Sequence, residues 1–276
     1  MLTFVTRSAK SVARRVAPDL YATVAPALLD WWRGERAPTP GRPYPTEELR
    51  LLAEKFGLRA GFVVLGGPFR GMKYVTMPGE GNLLPKLLGS YEEELQSLIE
   101  SWPSRQYDGI LNIGCAEGYY AVGLALLISG IRVRAFDIDE SARHLCAELA
   151  AMNGVAGRLS IESRCDREIL RKLDGSRSLI VCDCEGCEAE LFDATTVAAL
   201  RRSDVLMELH DFIDPAISKL LVHRFKRSHR TTLITSVVRD PETYPQLSFL
   251  SPKERAHAVD EFRPGIMQWA FFEART

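Results

Sequence analysis

Leu111-Asn112-Ile113-Gly114-Cys115-Ala116-Glu117-Gly118-Tyr119-Tyr120 is the stretch on which the reading of this chain turns. The apolar run Ile110 to Ile113 reads as a short strand, and Tyr119 to Ile128 reads as a helix. Two glycines, Gly114 and Gly118, lie in the turn between them. Without a Cβ, each can take positive φ and let the backbone come close to a ligand, while amides at the start of the next helix face it.

The strand-then-helix rhythm continues downstream. Val133 to Phe136 reads as a strand, and Ser141 to Met152 as a helix that closes at Asn153-Gly154. Leu159 to Ile161, Leu179 to Cys182 and Val205 to Leu209 are further apolar runs separated by helix-like segments. Such alternation predicts an α/β fold, a parallel sheet covered on both faces and doubly wound. Thr231 to Val238 and Met267 to Phe272 resemble two more strands, flanking a helix at Pro252 to Glu261.

Upstream, residues 1–45 read as a basic amphipathic helical extension and linker, 46–106 as a helix and hairpin cap, and 107–276 as the α/β domain. Thr46-Glu47-Glu48 offers a helix start that Gly57 can stop. Phe62 to Leu65 and Met72 to Val75 fit a hairpin around Gly66-Gly67-Pro68, and Ser90 can cap a helix from Tyr91 to Trp102.

With 276 residues, 46% hydrophobic and 26% charged, the composition is that of an ordinary globular protein. A net charge of -1 gives no global reason to expect nucleic acid. No run of about 18 apolar residues suggests a spanning helix. The first 36 residues carry six basic side chains against three acids. Val5, Val12, Val16, Leu20, Val24, Leu28 and Trp32 approximate one apolar stripe there, which fits either peripheral membrane contact or, more simply, a cap on the main domain. Pro18 and Pro26 interrupt it. Cys182, Cys184 and Cys187 fall close together, but no second pair stands at zinc-finger spacing, so reduced, mostly buried thiols and a cytoplasmic location are expected.

In a doubly wound sheet, ligands bind beyond the carboxyl ends of the strands. Asp137 ends the second strand 23 positions after Gly114, close to the spacing at which a carboxylate grips a ribose diol. The dinucleotide fingerprint G-x-G-x-x-G is not met, because Ala116 and Tyr119 occupy its second and third glycine positions. A bulky Tyr119 would crowd a pyrophosphate. A cofactor with one ribose and no pyrophosphate fits better, and S-adenosylmethionine answers that description.

Three segments carry a family resemblance: Asn112 to Tyr120, Ala135-Phe136-Asp137-Ile138-Asp139, and Cys182-Asp183-Cys184-Glu185-Gly186-Cys187-Glu188. They resemble the glycine loop, the ribose-acid strand end and the D-x-E-G-x-E segment of FkbM-type class I methyltransferases. Glu208-Leu209-His210, and Gly89-Ser90-Tyr91-Glu92-Glu93-Glu94 as a G-x-Y-E segment, are also similar to that family. The resemblance spans Gly89 to Asp211. It implies a Rossmann-like class I methyltransferase fold and S-adenosylmethionine as cofactor. Asn112, Gly114, Cys115, Ala116, Glu117, Gly118 and Tyr119 would line the cofactor, with the two glycines at its methionine part. Asp137 and Ile138 would meet the ribose, Asp166 the adenine, and Asp183 the transferred methyl and the acceptor. Tyr91 and Glu92 would lie on the substrate side. Asn112 departs from the acid usual at its position and supplies no charge for the cofactor's ammonium, a lack for which Glu117 is the candidate substitute.

Methyl transfer from a sulfonium asks mainly for alignment and exclusion of water, and a hydroxyl acceptor also needs a base. His210 is the favoured base, since an imidazole titrates near neutrality, with Asp183 and Glu185 next as base or orienting groups. The plainer alternative makes His210 a cap or packing residue beside Asp211. His144, His223, His229 and His257 are expected to face solvent. Asp183, Glu185, Glu188, Glu208 and His210 could hold a divalent cation, but carboxylates beside a cationic cofactor already have an electrostatic role, so no metal is assigned. The expected acceptor is a small molecule or a glycan, through a hydroxyl of a saccharide, glycolipid or metabolite. Methylation of protein or RNA, and a non-catalytic scaffold that keeps the cofactor, are the alternatives.

Overall fold

A computed structural model of the protein describes residues 46–74, 82–211, 213–263 and 265–275. The amphipathic stripe within residues 1–36 and the linker at 37–45 lie outside the described residues. Among those described, no helix is long and apolar enough to cross a membrane.

Seven strands form one sheet: β1 Gly109–Ile113, β2 Val133–Phe136, β3 Leu159–Glu162, β4 Ser178–Cys182, β5 Asp204–Leu209, β6 His229–Thr235 and β7 Gln268–Ala274, in the order β3-β2-β1-β4-β5-β7-β6. Strands β1 to β5 run parallel, whereas β7 is antiparallel to both neighbours. The parallel sheet expected for the five alternating strands is extended to a mixed one, because the last strand returns between β5 and β6. This is a doubly wound, Rossmann-like fold, with a helix and a narrow hairpin ahead of it.

Alternate residues of the central strands feed two cores. Leu179 and Val181 join one, Ile180 and Cys182 the other, and every residue of β4 and β5 is buried. Helix Tyr119–Leu127 is apolar nearly all round and buries six of its nine residues. Its Gly123 is needed because a Cβ there would come within 2.6 Å of the Phe69 ring. Asn153, at the end of helix Glu140–Met152, accepts from Lys73 N and donates to Lys73 O, stitching the hairpin to the domain.

Several expected boundaries move. The first helix runs Thr46–Ala60, past Gly57, whose missing side chain makes room for the Phe62 ring 2.4 Å from where a Cβ would sit. Only the bridge Val63↔Lys73 forms in the hairpin. Ser90 caps nothing. The segment Leu83–Leu88 is the helix there, and the predicted Tyr91 to Trp102 helix breaks into 3-10 turns around Gln96–Ser101, because Glu92 takes a left-handed φ of 47°. His229, expected at the surface, is buried, with Nε2 3.0 Å from Ser203 O.

Candidate active site

The register of the sheet assembles the site. Ile113 lies beside Phe136 on one side and Cys182 on the other. The next residue of each strand, Gly114, Asp137 and Asp183, therefore emerges along one edge. Gly114 (φ 75°) donates to Phe136 O, as does Cys115, and a Cβ on Gly114 would fall 1.6 Å from the Asp183 carbonyl oxygen. Ala116 takes φ 45°, a strained left-handed conformation, and its N–H donates to Asp137 Oδ2 at 2.8 Å. Asp137 Oδ1 accepts from Asp139 N at 2.9 Å. Burial raises the Asp137 carboxyl from its ordinary range, against the pull of those two amides. Ile138 is exposed beside it. Gly118 (φ 101°) opens the helix, where a Cβ would press on Cys146 Sγ at 2.8 Å.

Other predicted loop residues have defined tasks. Tyr119 is buried and packs edge-on against Phe69, Tyr74 and Tyr91. Glu117 is buried, with Lys86 Nζ and the Tyr74 hydroxyl each 2.5 Å from its Oε1. Burial works against its charge, but Lys86 outweighs burial and holds it below the usual carboxylate range. The idea that Glu117 replaces the charge missing at Asn112 is therefore corrected: Lys86 already neutralises it. Asn112 itself is buried and donates weakly to Val181 O at 3.4 Å, while its Oδ1 has no hydrogen-bond partner among the described residues. Asp166 is exposed and caps helix Arg167–Arg171 through Ile169 N.

Beyond β4 and β5 the chemistry turns acidic. Glu185 (φ 54°) and Gly186 (φ 100°) form a tight left-handed turn. A Cys184–Cys187 disulfide closes it, which corrects the expectation of reduced thiols for these two cysteines; Cys115, Cys146, Cys165 and Cys182 are free and buried. His210 is buried at the end of β5 with its Nδ1 2.8 Å from Oε1 of the fully buried Glu188. Its Nε2 faces Asp183 Oδ1 at 3.5 Å, Glu185 Oε2 at 3.4 Å and Glu208 Oε2 at 3.7 Å. Burial opposes charge on the ring, but Glu188, Asp183 and Glu185 outweigh it and push His210 up to about 10. Burial, aided by Glu185, pushes Asp183 up to about 7, and burial with Asp183 pushes Glu208 up to about 8. The premise for His210 as base, an imidazole titrating near neutrality, does not hold inside this acidic cage. Asp183 is the group of this cage that burial brings to about 7.

Tyr91 and Glu92 belong to a buried ionic network that the sequence did not reveal. Arg263 reaches Glu92 at 2.7 Å and both Glu208 and Glu261 at 2.5 Å, and Arg239 joins Glu261 to Glu94. The Tyr120 hydroxyl donates to Glu92. Burial pushes Glu92 up to about 7 despite Arg263. Arg263 and Glu261 sit in the connection before β7, with no motif to announce them; Glu188 and Glu208 lay within the segments already singled out. At the opposite ends of the strands, Arg177, Arg201, Arg202, Arg230 and Arg275 line a separate cleft of about 820 Å³.

No family model and no curated protein matches the chain. Among solved structures it is similar to the O-methyltransferase TomG from Streptomyces achromogenes, in complex with SAM, at 18% identity over 69% of this chain and 83% of that one, TM-score 0.44. It is also similar to cofactor-bound Rv0187 from MTB (13%, 68% and 82%, TM-score 0.47) and to a putative O-methyltransferase from Klebsiella pneumoniae (15%, 90% and 97%, TM-score 0.43). The sheet order and register, rather than these likenesses, define the architecture of the site.

Proposed function

We propose that the protein is an S-adenosylmethionine-dependent methyltransferase of FkbM type that acts on a hydroxyl of a saccharide, glycolipid or small metabolite. The observation that carries the reading is the locked edge where Gly114 abuts the Asp183 carbonyl and Asp137 pins the glycine loop through Ala116 N. A left-handed glycine turn locked against the Asp183 carbonyl, a carboxylate at the end of β2 and a buried Asn112 Oδ1 without a hydrogen-bond partner among the described residues suit a ligand with a ribose diol and an ammonium group. When bound, S-adenosylmethionine supplies a methyl on sulfonium sulfur, so that the acceptor oxygen's lone pair forms the new C–O bond as the C–S pair stays on sulfur.

The chain's own groups do the rest. Gly114 and Gly118 give the loop its left-handed turns against the Asp183 carbonyl and Cys146, and Asp137 would accept from the ribose hydroxyls with the lone pairs left by its two amide contacts. Asp183, on the same edge as the loop, takes the hydroxyl proton, while His210 as imidazolium holds Asp183 and Glu185 in place. Tyr91 and Glu92 bound the acceptor side. The acceptor class rests on the family resemblance.

Calorimetric titration with S-adenosylhomocysteine tests the reading directly, and absence of binding would remove it. Asp137→Ala should weaken that binding by about 10- to 100-fold, on the order of 1 to 3 kcal/mol. Unchanged affinity would refute the ribose assignment. A non-catalytic scaffold is the second reading, favoured by Asn112; it expects S-adenosylhomocysteine binding with no methyl transfer in a radiolabel screen over glycans, lipids and hydroxylated metabolites.

A further inference from the structure

We propose that Asp183, Glu185 and His210 form a binding site for a divalent first-row transition cation, with Mn²⁺ or Zn²⁺ as its type. The cation's use in catalysis rests on the methyltransferase reading; its binding does not. One ligand atom from each of the three residues lies within 4.8 Å of the others.

The arrangement around His210 Nε2 is the first argument. Carboxylate oxygens of Glu185, Asp183 and Glu208 stand 3.4, 3.5 and 3.7 Å from it. A ring nitrogen bears at most one N–H, and one N–H serves one acceptor well. Oxygens gathered at near-equal distances instead fit a shared centre: ligands around an ion at a bond length of about 2.1 Å sit roughly 3.0 to 3.4 Å apart, whether octahedral or tetrahedral. The three ligand atoms lie within 4.8 Å of one another, so side-chain movements of about an ångström, chiefly of the exposed Glu185, close the shell.

Two further observations are independent of that geometry. Asp183 Oδ1 is buried and accepts no hydrogen bond among the described residues, a costly state that an ion relieves. On the other side of the ring, the fully buried Glu188 stands 2.8 Å from Nδ1. A carboxylate on the far nitrogen fixes the tautomer and orientation of a metal-bound histidine, and Glu188 is placed for that task. Its backbone anchor is Gly186 N, which donates to the same Oε1 at 3.2 Å.

The donor set selects the ion. Two carboxylates with one imidazole favour a transition dication over Mg²⁺ or Ca²⁺, which prefer oxygen alone. The neighbouring Cys184 and Cys187 are paired in a disulfide and offer no thiolate to a softer ion. Two ligands come from the ends of buried strands, and the third from the disulfide-closed turn, so the set is rigid. Asp183 and Glu185 are partly open to solvent, at 31% and 57% side-chain exposure, which leaves coordination positions for water or an acceptor hydroxyl. Binding releases the proton on His210 Nε2, and the ion replaces that charge between Asp183 and Glu185; a hydroxyl bound there loses its proton to water more readily, and the ion takes over acceptor activation from Asp183.

The test uses the full chain stripped of metal with chelator and then titrated with Mn²⁺, read from the free-ion paramagnetic resonance signal. One equivalent should bind, at least about 10-fold tighter than Ca²⁺. His210→Ala should weaken binding by more than about 10-fold, and Glu188→Gln by about 10- to 100-fold through misorientation of the ring. Circular dichroism checks folding, and Asp183→Asn, a near-isosteric change at a partly exposed position, replaces any variant that fails it. No Mn²⁺ uptake, or wild-type affinity in a folded His210→Ala or Asp183→Asn protein, overturns the site. Titration of the same metal-free protein with S-adenosylhomocysteine separates the two readings: Mn²⁺ uptake without nucleoside binding keeps the cation site and removes the methyltransferase, and the reverse pattern does the opposite.

Discussion

A Gly114→Ala variant is expected to lose S-adenosylhomocysteine binding altogether and to unfold at a much lower temperature. The added methyl would lie 1.6 Å from the Asp183 carbonyl oxygen and 2.7 Å from its carbonyl carbon. Both contacts are backbone, so no side-chain rotation relieves them. The φ of 75° adds the left-handed penalty, about 1 to 2 kcal/mol for a residue with a Cβ. The strands β1 and β4 would have to part at the point where the site is built. A loss of about 4 kcal/mol or more follows, which for a domain of this size is roughly 8 to 16 °C in Tm. Gly118→Ala offers the internal control. Its Cβ would meet the Cys146 sulfur, a movable atom, at 2.8 Å, so the structural penalty is smaller. Equal thermal stability of Gly114→Ala and wild type would show that the β1 and β4 exits do not abut as described.

The second large effect concerns Arg263. Its guanidinium is the shared partner of Glu92, Glu208 and Glu261, whose side chains are 1%, 6% and 2% exposed. Arg263→Ala leaves these carboxylates buried with a cation removed, a change that costs about 3 to 5 kcal/mol at pH 8. The loss must depend on pH. Burial already raises Glu92 to about 7 and Glu208 to about 8, and without Arg263 they rise further. A carboxyl with a folded-state value above its unfolded one binds more protons in the folded state. Stability therefore falls as pH rises from the ordinary carboxylate range through the folded values. Urea denaturation at pH 5.5 and pH 8 should show a smaller deficit for the variant at the lower pH. A deficit that is equal at both, or larger at pH 5.5, would count against a buried charge network as its origin.

Legibility followed the range of the interactions. The glycine loop, the acid ending β2 and the D-x-E-G-x-E segment were readable because each is set by neighbours in sequence: an apolar run, a turn, a helix start. The parallel, doubly wound character of β1 to β5 followed from the alternation itself, while their order came only from the structure. The reversal of β7 was not readable, since parallel and antiparallel strands of comparable length and apolarity carry the same local pattern. Gly57 looked like a helix stop, yet its reason is the Phe62 ring folded back over it. Glu92 broke an expected helix because its backbone is left-handed and its carboxylate is held by Arg263 from the far end of the chain. His210 was found by its place at a strand end, but its charge state was out of reach. That state depends on Glu188, Asp183 and Glu185 meeting in space around one ring. Lys86 and Arg263 were missed for the same reason, as isolated cations on unremarkable segments whose partners come from elsewhere.

The β1–β4 pairing, which sets Gly109 against Ser178, also orders events in time. The contacts of β1 with β2 and of β2 with β3 close over shorter stretches of chain, so they form at lower entropic cost. A chain that has reached only that stage carries the glycine loop and Asp137 but not the Asp183 carbonyl that seats Gly114, nor the acidic turn. The two halves of the site meet only when the longest loop in the parallel sheet has closed. A ligand that needs both halves would act as a latch on a finished protein, slowing its escape from the native state rather than guiding its assembly.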